Sequence, residues 1–143
     1  MADIERTLSI VKPDAVAKGA TGDILSRFEK AGLTIIALKK MRLTEAQAQG
    51  FYAVHKERPF YDSLVAYMTE APVIAAALER DDAVTHLRQV MGATNSQEAA
   101  EGTIRALYGT DIERNAIHGS DSPENADIET AFFFAQSELI PLG

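Results

Sequence analysis

The chain has no cysteine and no tryptophan among its 143 residues. Without thiols it can form neither disulfides nor thiolate metal sites, which fits a reducing compartment, and the protein is expected to be cytoplasmic. No apolar run approaches the roughly 18 to 20 residues that span a bilayer. The start, MADIERTLSI, is acidic where a secretion signal would be basic. A soluble, untargeted chain with no membrane partner is expected. Cations are scarce as well: 14 Lys and Arg against 21 Asp and Glu give a net charge of −7. Neutralising nucleic-acid phosphates takes a basic face, so nucleic acid is not expected as the main partner. Any anionic ligand must meet a local cluster of cations. GxGxxG, GxxxxGK[ST], HRD and GxSxG are all missing, which removes support for the common nucleotide folds and the serine hydrolases. The only histidines, His55, His86 and His118, lack the i, i+3 or i, i+4 spacing of helical metal ligands, so no protein-held metal is expected.

What is present suits one globular domain over residues 1–143, with 46% hydrophobic residues available for a core. RTLSIVK alternates Leu8 and Ile10 with Thr7 and Ser9, a strand whose inward set ends at Lys12 and which Pro13 stops. TGDILSRFEKAG reads as a helix with Thr21 as N-cap, Ile24, Leu25, Phe28 and Ala31 on one face and Gly32 as the stop. LTIIALKKMRL is a second strand. TEAQAQGFYAVH has Thr44 and Gln47 at capping-box spacing and puts Ala48, Phe51, Tyr52 and His55 on one helical face. In RPFYDSLVAYM the core stripe is Tyr61, Leu64, Val65 and Met68, which leaves Phe60 free to face a cleft. PVIAAAL fits a buried strand, and DDAVTHLRQVMG a helix with Val84, Leu87 and Met91 inward, Arg88 at the edge and Gly92 at the end.

From Gly92 to Asn115 periodicity is weak, so a long loop is expected. Loops of that length inside a compact domain are usually functional. It contains Thr94, Asn95, Arg105 and Asn115. Ile117 and His118 then end a short strand, and Ser122, Pro123 and Glu124 look like the N-cap and first turn of a helix, which would favour an anion near His118.

The chemistry narrows to His118, with GSDS behind it, and single cations on separate elements: Lys12, Arg58, Arg88 and Arg105. A neutral imidazole, with its unperturbed pKa of about 6.5, is a competent nucleophile near neutrality, and a phosphoryl group on its nitrogen can be handed on. Phosphoryl transfer is mostly positioning and charge neutralisation, which scattered cations converging on one cleft supply. Gly119 permits close approach to the ring, and Ser120 and Ser122 can orient it or receive an anion. Spacing alone leaves plainer roles open: a packed strand-end histidine, a snorkelling Lys12, solvated Arg88 and Arg105, core or rim aromatics at Tyr52 and Phe60, and an exposed-face Glu129.

Four separated stretches taken in order are more specific. ERTLSIVKPDAV, FYAVHKERPFY, MGATN with GTIRA, and NAIHGSDS resemble the nucleoside diphosphate kinases from end to end. The resemblance implies a ferredoxin-like α+β fold, a four-stranded antiparallel sheet covered by helices, with the long loop before the histidine. It implies that His118 transiently carries the terminal phosphate as it moves reversibly from a nucleoside triphosphate to a nucleoside diphosphate, in ping-pong fashion and with broad base specificity. Lys12, Arg88, Thr94 and Arg105 then match phosphate contacts, with His55 and Arg58 nearby. Asn115 and Lys12 match ribose contacts, Phe60 the stacking platform for the base, and Leu64 and Ile112 its neighbours. Tyr52, Ser120 and Glu129 match residues that steer the histidine and the phosphate, and Mg2+ would arrive with the nucleotide.

Family members assemble as dimers, tetramers or hexamers. The end at Gly143, short of the longer tail of many hexameric members, favours a dimer or tetramer. Ser96 and Leu107 stand where many members have Pro and Asp, and LERDD replaces a more usual Leu-Glu-Gly stretch. A proline at 96 is expected to stiffen the loop and raise stability slightly. Two rival readings share the cleft: a ferredoxin-like module that binds nucleotide or RNA without turnover, and a phosphocarrier charged by another protein. The acidic pI and the complete histidine motif count against the first, and the residues suited to a nucleoside count against the second.

Overall fold

The computed structural model describes residues 3–142. The chain runs β1 (Ile4–Val11), α1 (Pro13–Ala17), α2 (Thr21–Lys30), β2 (Thr34–Met41), α3 (Glu45–Phe51), α4 (Tyr61–Thr69), β3 (Val73–Asp81), α5 (Ala83–Met91), α6 (Ile104–Tyr108), β4 (Ile117–Gly119) and α7 (Pro123–Phe133). Short 3-10 turns follow α3 at Ala53–His55, open the long loop at Ser96–Glu98 and follow α7 at Gln136–Glu138. The sheet order is β2-β3-β1-β4, with every neighbouring pair antiparallel. This is the ferredoxin-like α+β arrangement, with α3 and α4 inserted between β2 and β3.

Helices cover both faces of the sheet, and the strand alternation sorts side chains between two cores. Leu8, Ile10, Ala75 and Ala77 pack with Tyr52, Tyr67, Met68 and Phe133 beneath α3, α4 and α7. Val11, Ile74, Ala76 and Leu78 pack with Ile24, Phe28, Leu87 and Met91 beneath α2 and α5. This explains why Thr7 and Ser9, the apparently polar set of β1, are also fully buried: a central strand covered on both sides has no solvent face. The parity of Leu8 and Ile10 carries Lys12 inward at the end of β1.

The helix signals mostly hold. Gln47 N–H donates to Thr44 Oγ1 at 3.1 Å and Thr44 N–H to Gln47 Oε1 at 2.9 Å, completing the capping box of α3. Ser122 caps α7, accepting from Asn125 N–H at 3.1 Å. Three expectations need correction. Ala20, not Thr21, is the N-cap of α2. The buried stripe of α4 is Leu64, Val65, Tyr67 and Met68, with Tyr61 only half-buried, because the helix rotates Tyr67 toward α1. Residues 92–115 are not all loop: Thr103 accepts from Ala106 N–H and starts α6, a single turn too short to show periodicity, which buries Ile104 and Arg105.

Candidate active site

A cavity of about 620 Å³ opens where the ends of β1 and β4 meet α3, α4, α5, α7 and the long loop. His118 sits at its base. Its Nε2 and Glu129 Oε1 are 2.7 Å apart, and the hydroxyl of Ser120 donates to the same oxygen at 2.7 Å. Ser120 is itself anchored, accepting from the backbone N–H of Leu8 at 3.3 Å. A carboxylate accepts, so Nε2 is the ring's donor here, and Nδ1 is the nitrogen this bond leaves free. The edge of Phe51 meets the imidazole, with ring centroids 5.5 Å apart. At Gly119 beside it a Cβ would press on the side chains of Met91 and Leu87 on α5, which would have to shift.

Three cations line the same cavity. Lys12 is buried and donates from Nζ to Asn115 Oδ1 at 2.8 Å. Asn115 in turn donates from Nδ2 to the carbonyls of Thr94 and Ile112 at 3.0 and 3.1 Å, tying the long loop to the end of β1. Arg105, also buried, donates to the carbonyls of Gly92 and Ile117 at 3.1 and 2.8 Å. Arg88 is more open and reaches the carbonyl of Gly119 at 3.4 Å. Among the described residues, none of the three is in an ion pair. Burial, and secondarily the neighbouring Arg105, pulls the Lys12 ammonium down to about 8 from its ordinary value. Burial, then Arg88, pulls the Arg105 guanidinium down to about 10. Asp14 and Glu113 offset the loss at Lys12 only in part, and cations held together in a low-dielectric cleft without an ion pair favour an arriving anion.

Tyr52 is buried with its hydroxyl unpaired, and burial with the nearby Glu129 raises its pKa. At the outer end, Phe60 is 44% exposed, its ring 5.4 Å from that of His55, with Leu64, Ile112 and Thr94 around the same cavity. Of the matched site residues, Arg58, Asn115 and Ser120 do not line the cavity: Arg58 is on the exposed turn before α4, Asn115 holds Lys12, and Ser120 holds the Glu129 carboxylate that meets His118. His86 is remote, its Nδ1 3.0 Å from the Asp82 carbonyl. Phe51, Val54, Glu113, Asp121, Asn125 and Ile128 also line the cavity and were not singled out as site residues. Phe51 sat on a helical face that reads as core, Asp121 lies inside the GSDS stretch without a role of its own, and Val54, Glu113, Asn125 and Ile128 carry no motif-level signal. Ser63 donates to Glu113 at 2.8 Å, and Asn125 to Asp121 at 2.6 Å. Among the described residues, no three His, Asp or Glu side chains converge as a metal cluster. A cation carried in on phosphates needs few protein ligands, and of the lining carboxylates Glu129 is engaged by His118 and Ser120 and Glu113 by Ser63, while Asp121 accepts from Asn125 on the surface.

The sequence model of the family described as nucleoside diphosphate kinase matches residues 5–139. A nucleoside diphosphate kinase of Persephonella marina is 50% identical, covering 96% of this chain and 98% of the relative. One from Desulforapulum autotrophicum is 53% identical, covering 96% and 99%. The crystal structure of the Aquifex aeolicus nucleoside diphosphate kinase matches with a TM-score of 0.95 at 51% identity, over 96% of this chain and 100% of that one. The Halobacterium salinarum enzyme in complex with CDP matches with a TM-score of 0.93 at 45% identity, over 99% and 94%.

Proposed function

Since the chain belongs to the nucleoside diphosphate kinase family and is an enzyme that moves phosphate between nucleotides, we propose that His118 carries that phosphate covalently on Nδ1. The observation behind this is the orientation of the ring. Glu129 holds Nε2 at 2.7 Å and leaves Nδ1 as the free nitrogen. Lys12, Arg88 and Arg105 line the same cavity, Arg88 and Arg105 bonding the carbonyls of Gly119 and Ile117 on either side of His118.

In the first half-reaction, the Nδ1 lone pair attacks the terminal phosphorus of a nucleoside triphosphate. The bond from that phosphorus to the bridging oxygen breaks, and the diphosphate leaves with the electron pair. The ring keeps its Nε2 hydrogen and gains positive charge, which the Glu129 carboxylate offsets. The second half-reaction reverses these steps with a different diphosphate. Lys12, Arg88 and Arg105 neutralise the transferring group, Thr94 and the unpaired Tyr52 hydroxyl offer donors, and Asn115 with Lys12 faces the ribose. His55 on the cavity wall adds polar character, and Arg58 on the exposed turn before α4 adds positive charge nearby. Phe60, with Leu64 and Ile112, takes the base by stacking, which tolerates any base because each has a π-face. Bound Mg2+ would shield the phosphate charge, and Asp121 is the residue suited to hold its water shell. Nothing further is asked of the protein as a metal ligand.

The proposal extends to the whole protein: one transfer domain over residues 1–143, acting in the cytoplasm on nucleoside di- and triphosphates, as a homo-oligomer with dimer or tetramer favoured. β2 is an edge strand whose outer side is met by the C-terminal segment at one point, Ile140 N–H donating to the Ile36 carbonyl at 3.0 Å, and the exposed Leu38 beside it leaves surface for a second copy. Among the described residues, no helix is long and apolar enough to cross a membrane. Mixing the purified protein with ATP, Mg2+ and dTDP tests the activity. Formation of dTTP is expected, whereas a binding module or a carrier charged by another protein would give none.

A further inference from the structure

The geometry points to Asp14 and Tyr67 as positioning residues that clamp the backbone at Ala116 and thereby hold His118 and Asn115 in the cleft. This rests on the reading of His118 as the phosphate carrier. Ala116 has φ +73°, a left-handed conformation that glycine adopts freely and alanine does not. The N–H of Ile117 donates across it to the Asn115 carbonyl at 2.9 Å, which closes a γ-turn of the strained kind. Among the described residues the other non-glycine with positive φ, Asp82, is exposed and of a type that tolerates that conformation. Ala116 is fully buried and has neither excuse. Strain of this sort persists only where the surroundings over-determine it.

The surroundings here are specific. Asp14, in the first turn of α1, accepts the Ala116 N–H on Oδ2 at 3.1 Å, and the Lys12 N–H donates to the Ala116 carbonyl at 2.8 Å. The other Asp14 oxygen accepts the hydroxyl of Tyr67. Tyr67 comes from α4, is 2% exposed, and has the Arg114 guanidinium over its ring at 4.6 Å. Both polar groups of the strained residue are thus gripped from the segment that follows β1, and that grip is buttressed from the inserted helical pair. The turn lies between Asn115, which holds Lys12, and His118, which pairs with Ile10 in the sheet. If it relaxes, the nucleophile and the cation wall lose their common reference.

The experiment compares Asp14→Ala, Asp14→Asn and Tyr67→Phe, each alone and with Ala116→Gly. Single-turnover phosphorylation by ATP and Mg2+ is measured per phosphorylatable site, alongside nucleotide affinity and the 15N resonances of the His118 ring. Misplacing a reacting group by about 1 Å costs on the order of a hundredfold in rate. Asp14→Ala is expected to lose about that much, and Tyr67→Phe roughly a tenth as much, with affinity changed less than about threefold. Asp14→Asn, whose amide oxygen can still accept from Ala116, should keep most of the rate. Ala116→Gly, which removes the strain, should restore at least roughly tenfold to Asp14→Ala. The ring nitrogen resonances of His118 should shift in Asp14→Ala and return in the double variant.

A merely structural role would lower the melting temperature and the labelled fraction but leave the rate per competent site and the resonances unchanged. That outcome, or no recovery with Ala116→Gly, overturns the clamp. Should Asp14→Ala not fold, Tyr67→Phe loses only a hydroxyl and carries the same test. Shifted resonances in a protein that never labels at His118 would instead contradict the transfer reading and leave the clamp standing.

Discussion

Nε2 of His118 and Oε1 of Glu129 lie 2.7 Å apart, and the same carboxylate oxygen accepts the hydroxyl of Ser120. One acceptor therefore sets both the tautomer and the tilt of the imidazole, and Ser120 fixes that acceptor to the backbone of β1. Glu129→Ala should lower the phosphorylation rate constant about a hundredfold, or about 2.7 kcal/mol, while nucleotide affinity changes little, because the carboxylate acts on the nucleophile and not on the ligand. Ser120→Ala should cost about 1 kcal/mol of the same barrier. Rapid-quench kinetics on each variant measures both, and an effect confined to affinity would contradict the assignment.

The pH dependence should separate binding from stability. With Lys12 at about 8, the free protein loses that charge as pH rises through 8, so nucleotide affinity weakens there. The unfolded chain holds its lysine proton up to the ordinary value of 10.5. Between about 8 and 10.5 the unfolded state thus binds more protons, and Lys12 makes the free protein more stable as pH increases across that window. Lys12→Met should remove both trends, weaken nucleotide binding and stabilise the empty protein near neutrality. Isothermal titration and denaturant unfolding of the pair of proteins across pH give the comparison, and a less stable Lys12→Met protein would count against the buried-cation argument.

Phe60 should govern affinity without governing choice of base. Loss of one stacking face costs about 1–3 kcal/mol, so Phe60→Ala should raise KM by that much for purine and pyrimidine diphosphates alike, with kcat little changed. GDP, CDP, UDP and dTDP should differ as acceptors by well under a thousandfold, about 4 kcal/mol. A larger preference would point to readout of base edges, for which Glu113 on the cavity wall is the candidate.

Ser96 is where structure modifies an expectation about stability. Its backbone N–H donates to the Asp111 carbonyl at 3.3 Å, a bond that a proline would lose. The preceding Asn95 is extended, as proline requires. A gain of about 0.4–1 kcal/mol from stiffening the unfolded chain then meets a loss of about the same size, and Ser96→Pro should leave stability nearly unchanged. The Ser96 hydroxyl is buried without a partner, so Ser96→Ala should raise the melting temperature. Calorimetry of the two variants distinguishes these outcomes.

Much of this site was legible because its parts are local. The alternation that ends at Lys12, the Thr44 capping box, the Ser122 cap and the motif around His118 each lie within a few residues, where spacing carries the signal. The off-stripe position of Phe60 was visible for the same reason. Other features depend on tertiary placement. Burial of Thr7 and Ser9 follows from helices on both faces, which no single strand records. α6 is one turn long, so its Thr103 cap had no periodicity behind it. The grip of Asp14 on Ala116 joins residues 102 apart in the chain, and the left-handed backbone there belongs to an alanine, not to the glycine that would have advertised it.

The most direct measurement is to incubate the protein with ATP and Mg2+ but no acceptor and to identify the modified atom. The chain should become heavier by one phosphoryl group, with an acid-labile, alkali-stable label that NMR assigns to Nδ1 of His118. Addition of a diphosphate should remove the label as a triphosphate forms, with ping-pong initial rates. His118→Ala should lose label and transfer yet still bind nucleotide through Lys12, Arg88, Arg105 and Phe60, while His55→Ala and His86→Ala still label. Label that persists in His118→Ala, or sequential kinetics with no phosphoenzyme, would contradict the account.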